Sequence, residues 1–179
     1  MKIKFVFVCC LLILSSFLYA ETSEFSNGPI FENYGINTTV KQTWPIPKQT
    51  KFKVVFDISE QSETGKVNQN INSLARFINM HVRSGIKLND INLALVVHGS
   101  ALNDFLTQKR YKEKFDTDNN NEELISLLIK QNVQIIVCGQ SAAYQKLQNE
   151  DFLPEMTVAL SAMTAHAVLQ QQGYTLNPF

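Results

Sequence analysis

From residue 51 onward the sequence predicts an α/β domain, a three-layer α/β/α sandwich on a mostly parallel sheet of four to five strands. Two observations predict it. Strand-like and helix-like segments alternate along the chain. The strand-like segments are also near-continuous apolar, β-branched runs, the pattern of strands buried on both faces.

The elements follow in order. Residues 52–58 read as a first buried strand. Val67, Ile71, Leu74, Ala75, Ile78 and Val82 then recur at spacings of three and four, and Gly85 ends that helix. Residues 91–97 read as a second strand. Leu102, Phe105 and Leu106 suggest a short helix that dissolves into the charged stretch 108–118. Asn119 to Asn121 followed by Glu122 and Glu123 open another helix, with Leu124, Leu127 and Leu128 as its inner face. Residues 133–137 form a third strand, 141–149 a helix and 157–160 a fourth strand. Residues 162–172 form a helix stopped by Gly173, and 174–177 a short last strand.

Ahead of this domain, residues 21–50 have no period and carry Gly28-Pro29, Gly35, Pro45 and Pro47. Phe25, Phe31, Tyr34 and Trp44 make the segment too aromatic for a solvated linker. It reads as an extended arm laid on the domain or on a neighbouring subunit. Asn37-Thr38-Thr39 is a glycosylation sequon. Residues 1–20 read as a cleavable secretory signal: Lys2 and Lys4, an apolar run from Phe5 to Leu14, and a small-residue exit at Ala20. The apolar run is shorter than the ~20 residues of a spanning helix. The expectation is therefore an exported protein, periplasmic or extracellular, with no membrane attachment after cleavage.

Cleavage takes Lys2 and Lys4 from the 16 basic residues, so 14 basic side chains face 16 acidic ones, a net charge of −2. That balance, with no basic run, argues against nucleic acid as a partner. Cys9 and Cys10 also leave, and Cys138 remains as a single thiol with no internal disulfide partner.

In open parallel sheets ligands bind beyond the carboxyl ends of the strands. Three such ends carry chemistry here: Asp57, then His98-Gly99-Ser100, then Cys138-Gly139-Gln140-Ser141. Cys138 falls where a strand turns into a helix, so backbone N–H groups can favour its thiolate. It also fits as a small buried apolar residue. His98 is a candidate base, thiolate partner or metal ligand, and equally a helix-capping histidine. Asp57 is a strand-end turn residue or an orienting carboxylate. Gly99, Ser100, Gly139, Gln140 and Ser141 are the candidate binding loops. Cys138, His98 and His166 lack any close metal-ligand spacing, so neither a metal nor another cofactor is expected. His81 falls opposite Leu74 and Ile78 on its helix and reads as solvated, and His166 sits mid-helix.

At these residues the chain resembles the DsrE/DsrF-like family. The matching segments are Lys53-Val54-Val55-Phe56-Asp57, residues 72–79 (NSLARFIN), Val96-Val97-His98-Gly99, residues 121–128 (NEELISLL), Val137-Cys138-Gly139-Gln140-Ser141, and Leu169-Gln170 with Gly173-Tyr174. The arm resembles that of exported members. The resemblance implies a homo-oligomer, often a trimer or hexamer. It also implies, from sulfur-relay members, a cysteine that carries sulfur as a persulfide; that role maps onto Cys138, with a small molecule or sulfur donor as partner. Relay members work in the cytoplasm, whereas this chain reads as exported and keeps no second cysteine. Two functions remain open from the sequence: thiol-based sulfur handling or redox chemistry, with His98 and Asp57 supporting a partly accessible Cys138, or a non-catalytic ligand-binding or assembly module with a buried one. A Cys-His-Asp hydrolase is a third, weaker reading.

Overall fold

The computed structural model describes residues 24–177; the expected signal segment lies outside them. Five strands form one all-parallel sheet: β1 (Phe52–Ile58), β2 (Ile91–Val97), β3 (Gln134–Cys138), β4 (Thr157–Ala159) and β5 (Thr175–Asn177), in the spatial order β4-β3-β2-β1-β5. The helices are α1 (Gln69–Arg83), α2 (Gln108–Phe115), α3 (Glu122–Lys130), α4 (Gly139–Tyr144) and α5 (Ala162–Gln171).

The two faces of the sheet are unequally covered. Val54, Phe56 and Ile58 of β1, Leu93, Leu95 and Val97 of β2, and Ile135 and Val137 of β3 point into the main core. There they meet Ile71, Leu74 and Ile78 of α1 and Leu124, Ile125 and Leu128 of α3. Each fully buried aliphatic side chain of this kind contributes about 1.5–3 kcal/mol. The opposite face carries a smaller cluster, Val55, Ala94 and Val96 against Ala165, Leu169 and Tyr174. α5 is the helix that packs on this second face, so the third layer is one helix thick, thinner than the apolar strands alone suggest.

Three local readings need correction. The helix expected over 141–149 is α4, which ends at Tyr144 because Lys146 takes the left-handed conformation at φ 56°. The charged stretch 108–118 contains α2, because Thr107 accepts the Arg110 N–H at its start and Tyr111 and Phe115 form one inward-facing pair. The segment before it is a 3-10 helix, Gly99–Phe105. His81 is buried, not solvated. Its ring stacks on Phe77 with centroids 3.9 Å apart, and its Nδ1 lies 2.7 Å from the Phe77 carbonyl.

The arm is docked on its own domain over residues 26–37. Asn79, wholly buried in α1, accepts the Ile30 and Phe31 N–H groups and donates to the Phe31, Tyr34 and Gly35 carbonyls. Asn72 takes the Gly35 N–H, and the Arg83 guanidinium donates to the carbonyls of Asn27, Gly28 and Asn37. Phe31 is thereby buried, while Phe25 and Trp44 stand in solvent. The sequon asparagine, Asn37, is 3 % exposed and spends its amide on the Gly28 and Gly35 carbonyls, so the fold leaves no room for a glycan there.

Candidate functional site

Side chains alternate along a strand, and paired residues of parallel neighbours share a face. Asp57 pairs with Val96, and Cys138 lies two residues beyond Ile136, which pairs with the same Val96. His98 keeps an extended backbone and continues the ladder through its N–H to the Ile58 carbonyl. One step beyond the Val97–Val137 pair, it stands beside Cys138. Asp57, His98 and Cys138 therefore form a row across three adjacent strands on the face that α5 covers. The sequence-based site residues converge on one rim.

Their hydrogen bonds divide them. Asp57 Oδ2 is 2.9 Å from His98 Nε2, and Asp57 Oδ1 is 2.5 Å from Nε2 of His166 on α5. Burial pushes the Asp57 carboxyl up, but the hydrogen bonds and charge of the two imidazoles outweigh it and hold the group below the usual carboxylate range. Cys138 makes its bonds elsewhere. Burial raises its thiol, yet the Ser141 hydroxyl and the backbone N–H groups of Ser141, Ala162 and Gln140 prevail and lower it. These donors come from the first turns of α4 and α5. No hydrogen bond joins His98 to Cys138 among the described residues, so backbone amides and Ser141 supply the thiolate stabilisation that the sequence assigned partly to His98. Cys138 is also more covered than expected, at 5 % exposure, although it lies at the rim.

The loops hold this geometry by close approach. Gly99 has φ 57° and its Cα hydrogen faces the Ser59 carbonyl; a Cβ there would come within 2.6 Å of that oxygen. A Cβ at Gly139 would meet the Ala159 carbonyl at 2.7 Å. Both backbones need glycine. Ser141 links the loops, because its Oγ accepts the Gly99 N–H at 3.1 Å while its hydroxyl serves Cys138. Gly99, Ser100, Gln140 and Ser141, together with Tyr144 and Gln145, line an apolar cleft of about 390 Å³ beside the thiol loop. Gly139 does not line it.

Sequence reasoning missed Tyr144, Gln145 and the Ala162 N–H, and weighed His166 only as a metal ligand, not as a partner of Asp57. The signal for His166 was present: 162, 166 and 169 follow the three-four spacing of the α5 face that meets the sheet. Among the described residues no group of three or more His, Cys, Asp or Glu side chains is arranged to hold a metal ion. Nor is any helix there long and apolar enough to cross a membrane.

The fold is thus an all-parallel α/β sheet that carries a thiol, an imidazole and a carboxylate along one carboxyl-end rim. The model of the DsrE/DsrF-like family matches residues 53–178, and the chain belongs to that family. Two solved structures share the fold. One is a protein of unknown function, MTH1491, from Methanobacterium thermoautotrophicum, 16 % identical with a TM-score of 0.54, covering 72 % of this chain and 100 % of its own. The other is the ychN protein from E. coli, 17 % identical with a TM-score of 0.52, covering 72 % of this chain and 99 % of its own. No curated protein sequence matches.

Proposed function

We propose that this chain is a thiol-based sulfur-handling protein in which Cys138 acts as nucleophile or persulfide carrier. The observation that carries the proposal is the set of donors around the sulfur: three backbone N–H groups and the Ser141 hydroxyl, which together lower the thiol despite its burial. A packing cysteine needs no such donors, whereas a thiolate or a persulfide anion does. Family membership supports the same reading. The cleft at Gly99, Ser100, Gln140, Ser141, Tyr144 and Gln145 is where the partner molecule would rest beside Ser141.

Within this proposal the protein works after export, as the first twenty residues suggest, and as a homo-oligomer. Exposed Leu160, Met163 and Val168, near the groove between α5 and the β3–β4 edge, support association of copies through the thinly covered face. The low exposure of Cys138 favours a second reading, a ligand-binding or assembly module with a structural thiol. Mass analysis after incubation with a small-molecule persulfide separates the two. The proposal expects one added sulfur on Cys138, removable by reductant and absent in Cys138→Ser; a wild-type chain that takes up no sulfur refutes it.

A further inference from the structure

The Asp57 carboxylate is shared. Each of its oxygens meets the Nε2 of a different histidine, His98 from the end of β2 and His166 from α5. A carboxylate accepts, so each Nε2 carries a hydrogen, and in the neutral ring each Nδ1 is then left as a lone pair. The two rings then differ. His166 Nδ1 is buried with no hydrogen-bond partner among the described residues. Among the described residues it has no protein group to exchange a proton with. The His98 side chain is 33 % exposed against 18 % for His166, and it stands beside Cys138 at the open rim. Among the described residues, the charged groups that act on Asp57 are these two imidazoles.

We infer that His166 is a positioning residue of the site: it ties Asp57 Oδ1 to α5, so that Oδ2 holds His98 as the Nε2–H tautomer and His98 Nδ1 becomes the atom that exchanges protons with the substrate. Without the second tie, a strand-end carboxylate that is 35 % exposed is free to turn toward solvent, and ordering it costs conformational entropy. His98 is the catalytic residue of the pair and His166 acts through it.

The role rests on the thiol chemistry proposed above and specifies its proton path. The Cys138 thiolate attacks the outer sulfur of a donor persulfide, R–S–SH. The new S–S bond forms as the donor's S–S bond breaks, and that bond's electron pair leaves on R–S⁻. Protonated His98 gives its Nδ1 proton to R–S⁻, making R–SH. The neutral ring then takes the proton of Cys138–S–SH, leaving the persulfide anion among its N–H donors. The net change converts one thiolate and one persulfide into one persulfide anion and one thiol, with no outside oxidant or reductant.

Long-range proton–nitrogen correlation of the ring nitrogens, with glutathione persulfide as transfer probe, tests this. In the wild type both rings should show protonated Nε2 and bare Nδ1 in the neutral form, and Asp57→Ala, which leaves no acceptor, should release both. His166→Leu should slow sulfur uptake roughly ten- to hundredfold, the scale of a misplaced catalytic group. His166→Gln, which keeps a donor in place of Nε2, should restore most of the rate. His98→Asn should lose about a hundredfold or more and flatten the pH–rate profile. An Nδ1–H tautomer on either ring, or wild-type uptake in His166→Leu, overturns the inference. Failure of the underlying thiol reading is distinct: no uptake by the wild type, in which case the ring spectra alone decide the tautomer lock.

Discussion

Replacing Asn79 by alanine tests how the arm is held. The wholly buried side chain makes five hydrogen bonds to arm backbone: acceptor to Ile30 and Phe31 N–H, both at 2.9 Å, and donor to the carbonyls of Phe31 at 3.1 Å, Tyr34 at 2.9 Å and Gly35 at 3.3 Å. Alanine leaves two N–H groups without acceptors and a cavity beneath them. Each buried, orphaned donor costs about 1–3 kcal/mol, and Ile30 is half-buried and partly rescued by water, so the loss should be about 2–5 kcal/mol. That is a large share of the roughly 5–15 kcal/mol that holds a domain together. It corresponds to a melting-temperature drop of about 5–15 °C for a chain of this size. Urea titration of the protein measures the loss, and limited proteolysis within residues 24–50 shows whether the arm detaches first. An unchanged urea midpoint with an equally protected arm would refute the hydrogen-bond accounting.

Other expectations follow from the same geometry. Ser141→Ala removes the hydroxyl donor to Cys138 and should raise the midpoint of thiol alkylation above that of the wild type. Burial lowers the pKa of His81; the unfolded chain therefore binds its proton more readily, and stability should fall as pH drops below about 6.5. His81→Phe should flatten that part of a stability–pH curve measured by denaturation. Asp57 has the opposite chemistry and a depressed folded value, so its contribution is present above the ordinary carboxylate range and is lost as pH falls through the folded value. Asp57→Asn should remove this acid-side slope. Gly99→Ala forces a Cβ toward the Ser59 carbonyl at a positive φ and should destabilise the fold by about 1–3 kcal/mol, read as a lowered urea midpoint.

The strands were legible because burial on two faces writes itself as unbroken apolar runs; β1 and β2 fall on the residues expected of them. The helix α1 was legible from its spacing, and Asp57, His98 and Cys138 from their places at strand ends. What escaped depended on tertiary partners. Stacking on Phe77 buries His81, although its own helix position pointed outward. α2 is held by a Thr107 cap and two aromatic residues within a charged stretch, where composition masks the pattern. The donors to Cys138 include the Ala162 N–H, twenty-four positions away, which no local motif reveals. His166 lay on the inward spacing of α5, but only the fold shows that the carboxylate it meets is Asp57.

The central claim is that the rim holds Cys138 ready as a thiolate, and the pH dependence of its alkylation by iodoacetamide in the folded protein tests that most directly. The account predicts labelling near neutral pH with a midpoint below the free-thiol value of about 8.5, a lowering that follows from the Ser141, Ala162 and Gln140 donors. A thiol that labels only on unfolding, or one with a midpoint at or above the free value, would contradict it.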